Sequence, residues 1–232
     1  MIVSQSPAGI DRQSVVQFMT TEHFTLQTAR AAANAEISSR LQLYMTTLSS
    51  AIIALALLAQ LSELSRAFVA FALVLLPVAY FLGVATHGRL MQASAEWRTY
   101  GQGMSRIRHW YLEVAPEMAP YFVLPATDDP WASLAAIGIR GRGPGRWRGL
   151  LTTAPAMVLV VNSVLAGVFA GLVGGTMGPS GPVLPAVCAA AGFALSVLAL
   201  GVYEHRSFRR QMAAAPVAFP ADPAEPAGGA AD

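Results

Sequence analysis

The residues able to do chemistry are few and scattered. His23, His87, His109 and His205 stand far apart, and the lone cysteine, Cys188, sits in an apolar run. A bound zinc needs His or Cys ligands at short, set intervals, and no such spacing occurs. One cysteine cannot close an internal disulfide, so Cys188 reads as a small buried hydrophobe. Asp128-Asp129 and Glu204-His205 bring ionisable groups together, but neither pair matches a metal or acid–base signature. Asp129 before Pro130 reads better as a helix N-cap with proline at the first helical position. Arg106, Arg108, His109 and Glu113 would have to converge near a membrane surface to serve a lipid enzyme or transporter. The run Arg140-Gly-Arg-Gly-Pro-Gly-Arg-Trp-Arg148 has the glycines of a phosphate loop but not its G-K-[ST] ending. The expectation from these residue types is no catalytic group, no metal and no cofactor. At a cytoplasmic leaflet, Arg140, Arg142, Arg146 and Arg148 would each contribute on the order of 1 kcal/mol of contact with anionic lipid. A net charge of +2 gives no reason to expect nucleic acid.

The elements that must carry these residues are apolar. Of the 232 residues, 54% are hydrophobic and 12% charged, about half the charge of a soluble domain. Four runs of 20 or more residues lack any charge: 41–62, 67–86, 150–175 and 183–202. About 20 apolar residues in a helix cross the hydrocarbon core of a bilayer. The sequence therefore predicts an all-α integral membrane protein with four transmembrane helices. Tight links at 62–66 and 176–182 make two antiparallel hairpins. The expected divisions are a cytoplasmic N-terminal segment with a helix (1–40), a first hairpin (41–86), a cytoplasmic helical connection (87–149), a second hairpin (150–203) and a disordered cytoplasmic tail (204–232). The tail from 213 is Ala, Pro and Gly with a few acids, a composition that cannot bury a core.

Orientation follows from arginine. All 15 basic residues are Arg, and only Arg66 falls in a tight link. The other 14 lie in the N-terminal, middle and C-terminal segments, which the positive-inside rule places in the cytoplasm. In the N-terminal segment, Thr20 or Thr21 can cap a helix over 20–40, and no Gly or Pro separates it from the first spanning run. The second spanning helix should also continue inward. Leu90, Ala93, Trp97, Tyr100, Met104, Ile107, Tyr111 and Val114 follow three- and four-residue steps and form one helical stripe. Its aromatic residues need a cover, either within the chain, from another subunit or from lipid, so Trp97, Tyr100, Met104, Ile107 and Tyr111 are a candidate helix interface. Gly101 and Gly103 weaken this helix, and Pro116 should end it.

Inside the four runs no residue is ionisable, which argues against proton-coupled transport. Asn162 is the most polar residue there and is expected to hydrogen-bond between helices. Gly167, Gly171 and Gly175 recur every four residues, and small residues at that spacing let helix backbones approach in lipid. In the fourth run, Ala190 and Ala194, and Gly192 and Ser196, have the same spacing.

The stretch Arg40-Leu-Gln-Leu-Tyr-Met-Thr-Thr-Leu-Ser-Ser50, with Arg106-Ile-Arg-His-Trp-Tyr-Leu-Glu113 and Ala115-Pro-Glu117, resembles a group of uncharacterised bacterial multi-pass membrane proteins, often actinobacterial. The resemblance implies a membrane location and brings no activity, cofactor or catalytic residue. The functional expectation is a non-enzymatic, oligomeric scaffold, sensor or interaction protein of the bacterial inner membrane. Its partners would be copies of itself, anionic lipid and a protein bound to the cytoplasmic helices. The alternatives are an oligomeric channel or membrane-permeabilising effector lined by Thr46, Thr47, Ser50 and Asn162, and, behind it, a membrane-bound enzyme or transporter acting on lipid.

Overall fold

A computed structural model describes residues 11–62, 65–129, 152–177, 181–214 and 216–220. All of its regular elements are helical. Helix α1 is Arg12–Ser62, α2 is Arg66–Val114, a 3-10 turn covers Pro116–Tyr121, α3 is Ala154–Met177 and α4 is Val183–Ala214. Each of the four α-helices is long and apolar enough to cross a membrane.

At about 1.5 Å per residue, the 51 residues of α1 and 49 of α2 make helices on the order of 75 Å long. That is more than twice what a hydrocarbon core takes up. Helix α1 begins earlier than its sequence signals indicate. Thr20 and Thr21 do not cap it, because their hydroxyls donate back to the carbonyls of Val16 and Gln17 at 2.8 and 2.9 Å, inside the helix. Helix α2 passes Pro77 unbroken and stops at Val114, two residues before Pro116. Helix α3 opens with Pro155 in its first turn, where a missing N–H costs nothing.

Helix α4 runs on to Ala214, and residues 216–219 are held by side chains described below. A disordered tail from 204 therefore does not describe residues 204–214 and 216–219. Composition there is poor in core-forming residues, but hydrogen bonds supply what hydrophobic burial does not. The short helix expected from Trp131 to Ile139 and the arginine run 140–148 lie outside the described residues.

The chain divides into two compact units that share α1 and α2. One comprises residues 35–95 and 143–214, the other 1–34, 96–142 and 215–232. The first unit is centred on Tyr44, Leu48, Ala72, Leu76, Ala79, Leu90, Val158 and Leu165, contributed by α1, α2 and α3. Its outward positions are apolar too: Ile53, Leu57, Val74, Val78, Phe81, Leu195 and Leu198 are all more than half exposed. Apolar exposure on that scale marks a surface that meets something other than water. In the second unit, Leu26 of α1 lies against Gly103 of α2, and Met104 and Ile107 are buried. The glycines at 101 and 103 do not end α2; they give room to side chains of α1.

Candidate functional site

In the first unit, polar groups from all four helices join into one buried chain. Tyr44 of α1 donates to Asn162 Oδ1 of α3 at 3.3 Å, and Asn162 Nδ2 donates to the Tyr80 carbonyl of α2 at 3.2 Å. The Tyr80 hydroxyl lies 3.3 Å from Ser196 Oγ of α4. The Ser163 hydroxyl reaches both Ser196 Oγ at 3.1 Å and the Leu159 carbonyl at 2.8 Å. Asn162 has no solvent exposure, so its amide needs these partners. Gly83 of α2 makes room for it, since a Cβ there would overlap the Asn162 side chain.

This chain spends its donors and acceptors on one another. It links α1, α2, α3 and α4. Interhelical hydrogen bonds of this kind average about 0.6 kcal/mol and reach about 1.7 in lipid. Tyr44→Phe should therefore cost around that average, read as a small fall in the midpoint of reversible unfolding in detergent. A loss of several kcal/mol would show that the hydroxyl does more than bridge α1 to α3.

One ionisable pair joins α2 and α4 in the same unit. His87 of α2 is fully buried, and its Nδ1 sits 3.1 Å from the Pro155 carbonyl. That contact fixes the proton on Nδ1, leaving Nε2 to face Glu204 Oε2 of α4 at 3.9 Å. Sequence spacing did not indicate the pair, because the two residues are 117 positions apart. Among the described residues no three His, Cys, Asp or Glu side chains group to hold a metal ion.

Helices α3 and α4 approach through small residues. A Cβ on Gly167 would lie 3.0 Å from the Ala189 carbonyl and 3.2 Å from Phe193 Cβ. On Gly171 it would lie 3.0 Å from Ala189 Cβ and 3.2 Å from the Pro185 carbonyl. Gly175 is looser, with Pro185 Cγ at 3.6 Å. Two other positions are tighter: Gly174, outside the four-residue pattern, and Gly192, which forms a four-residue pair with Ser196. A Cβ on Gly174 would lie 2.8 Å from Cys188 Sγ, and one on Gly192 would lie 2.6 Å from Ala170 Cβ and 2.8 Å from the Ala166 carbonyl. Cys188 is half-buried at this contact.

The second unit holds a carboxylate clip. Asp128 is 1% exposed. Its carboxylate accepts from Arg106 Nε at 2.7 Å, from Phe219 N at 2.8 Å and from Ala218 N at 3.0 Å. Its own N–H donates to the Phe219 carbonyl at 3.1 Å, and Gln102 Nε2 donates to its carbonyl at 3.1 Å. Arg106 also donates to the Pro216 carbonyl. His109 stacks on Phe219 with ring centroids 3.9 Å apart. Asp128 is thus a tether for residues 216–219, ninety positions away, a role that its acidic neighbour and Pro130 concealed.

Burial raises the pKa of Asp128, but the Ala218 and Phe219 N–H groups and then Arg106 outweigh it and hold the carboxyl below its usual range. A carboxyl lowered on folding stabilises the clip above its unfolded pKa and loses that contribution as pH falls through the folded value. Amide protection of residues 218 and 219 should therefore stay level from pH 8 to 5 and decline only below the ordinary carboxylate range. A decline centred near pH 6 to 7 would assign the clip to a histidine instead.

The aromatic stripe is covered in part by charge. Met104 and Ile107 are buried, while Trp97, Tyr100 and Tyr111 are half-buried. The guanidinium of Arg30 lies over the Trp97 ring, 3.8 Å from its centre, and over Gly101, where a Cβ would sit 3.5 Å from the guanidinium carbon. An arginine so placed gains about 0.5–2 kcal/mol of cation–π attraction. Arg140, Arg142, Arg146 and Arg148 fall outside the described residues.

No protein-family model, curated protein or solved structure matches this chain, so its site residues stand on their own geometry.

Proposed function

We propose that the protein is a four-helix integral membrane protein of the bacterial inner membrane that acts by interaction, as an oligomeric scaffold or sensor, and not as an enzyme. The observation that carries this reading is the polar chain Tyr44–Asn162–Tyr80–Ser196–Ser163. Its groups satisfy one another between helices and leave nothing to act on a substrate. The outward apolar positions of the same unit fit a lipid environment. Gly167 meets Phe193, Gly171 meets Ala189 and Gly174 meets Cys188. That descending order supports an antiparallel hairpin of α3 and α4. The arginine bias supports termini and middle segment on the cytoplasmic side, with anionic lipid and a protein partner meeting the protein there.

Native mass spectrometry of the protein in lipid nanodiscs tests the oligomeric part. A discrete assembly of two or three copies supports the scaffold. A ring of four or more, with ion flux from liposomes lost on changing Thr46, Thr47 or Ser50, would replace it with a channel. Asn162 is not a candidate pore-lining residue, since it has no exposed surface to turn toward a neighbouring copy.

A further inference from the structure

His87 is fully buried between helices, and its Nε2 takes no hydrogen bond among the described residues. The proton on Nδ1 is committed to the Pro155 carbonyl of α3 at 3.1 Å, so Nε2 presents a lone pair. What Nε2 faces is Glu204 Oε2 of α4, 3.9 Å away. At neutral pH a carboxyl is ionised and an imidazole mostly neutral. Two acceptors then oppose each other, and a buried acceptor without a donor is costly. One proton placed between them satisfies both.

The groups around the ring are few. From α4, Glu204 and Tyr203 face it, the Tyr203 ring centre lying 6.1 Å from that of His87. From α3 it meets the Pro155 carbonyl. Arg89, two residues on in α2, is engaged by Gln92 and by Glu36 of α1, and Glu36 also pairs with Arg40. His205 and Arg206, which follow Glu204, are exposed.

We propose that His87 and Glu204 form a proton-binding site that latches the C-terminal part of α4 to α2. The proton enters from solvent at Glu204, whose side chain is 25% exposed. On Nε2 it makes an imidazolium that donates to the carboxylate. On the carboxyl it makes an O–H that donates to the neutral ring. Either form replaces the 3.9 Å gap with a hydrogen bond, about 2.7–2.9 Å long in the charged case. The titration belongs to the pair and not to one residue.

Helix α4 is built to respond. Ser196 meets Tyr80 of α2, and Glu204 meets His87 about two turns further along both helices. Between these contacts on α4 stands Gly201, where a Cβ would meet nothing within 4 Å. Glycine inside a helix weakens it by about 1 kcal/mol. The segment past Gly201 can therefore shift toward α2 while Ser196 stays in place. The site deepens the sensor reading, on which it rests, by making the signal a proton. The number of copies does not enter it, so oligomer state and titration fail separately.

The test uses the full chain in lipid nanodiscs with isotope-labelled histidine, read by solid-state NMR. The resonances lost in His87→Gln identify His87 among the four histidines. As pH falls from about 8 to about 4, a range that spans ordinary imidazole and carboxyl values, Nε2 should leave its bare-acceptor position in a single one-proton step. Glu204→Gln sets an amide N–H against Nε2 at every pH and removes the acid. The proton affinity of His87 should then fall at least tenfold. A variant that has unfolded shows all its histidines titrating together near about 6.5. In that case Glu204→Asp, which keeps the acid one methylene further off, should lower the affinity several-fold. Hydrogen exchange of amides 204–210, corrected for the intrinsic pH dependence, should slow several-fold when the wild-type site fills. A bare Nε2 at every pH overturns the proposal, and so does a His87 titration that is the same in wild type and both Glu204 variants. Proton uptake with no gain in protection overturns the latch.

Discussion

Gly192→Ala should destabilise the pairing of α3 and α4 by about 1–3 kcal/mol, the usual cost of forcing a methyl group into filled space. The added carbon would lie 2.8 Å from the Ala166 carbonyl and 2.6 Å from Ala170 Cβ. Neither neighbour is a flexible side chain, so the helices themselves must separate. Gly175→Ala is the matched control. Its nearest contact, Pro185 Cγ at 3.6 Å, is ordinary van der Waals distance. The change there should stay within about 0.5 kcal/mol and could favour the helix through alanine's higher propensity. Reversible unfolding in detergent micelles measures both. Equal effects at 175 and 192 would mean that helix propensity, not close approach, governs these positions.

Asp128→Ala should release residues 216–219. It removes the acceptor for Arg106 Nε and for the N–H groups of Ala218 and Phe219. Unpaired donors of this kind cost about 1–3 kcal/mol. Each 1.4 kcal/mol is a factor of ten in an equilibrium, so hydrogen-exchange protection of the 218 and 219 amides should fall by about 10- to 100-fold. Arg106→Gln should do less, because the Arg106 side chain is 38% exposed and its attraction for Asp128 is screened by water. Unchanged protection in Asp128→Ala would mean that the stacking of Phe219 on His109 holds the segment by itself.

The long-range hydrophobic pattern made the helices legible. Four charge-free runs can be read directly, and the stepwise stripe through Met104 and Ile107 located a face that the structure buries. Pro116 marked the end of α2 because proline cannot extend a helix that precedes it so closely. What local sequence hid were contacts between distant residues. Nothing near Asp128 announces that its partners are the N–H groups of 218 and 219. Nothing near Glu204 points to His87. The helix start was misplaced because Thr20 and Thr21 bond backward as readily as they cap. The glycine pattern at 167, 171 and 175 indicated close approach in α3, but period alone cannot say which glycines meet backbone and which meet open space. Gly174, which the pattern passes over, is tighter than all three, and Gly192, paired with Ser196 in the fourth run, is tighter still. Gly101 and Gly103 were a usable signal: glycine inside an otherwise helical stripe marks a place where another chain segment comes near.

The seam between α3 and α4 has a thermal consequence. Its closest positions are Gly167, Gly171, Gly174 and Gly192 against Ala166, Ala170 and Ala189, with Cys188 and Phe193 the larger side chains among them. Glycine and alanine have no rotamers to lose, whereas a leucine seam would freeze about 0.5–1 kcal/mol of side-chain freedom per residue. Two helices already formed therefore join here with little entropy lost beyond their rigid-body motion. Warming raises the penalty of frozen rotamers in proportion to temperature, and this seam has few beyond those of Cys188 and Phe193 to raise.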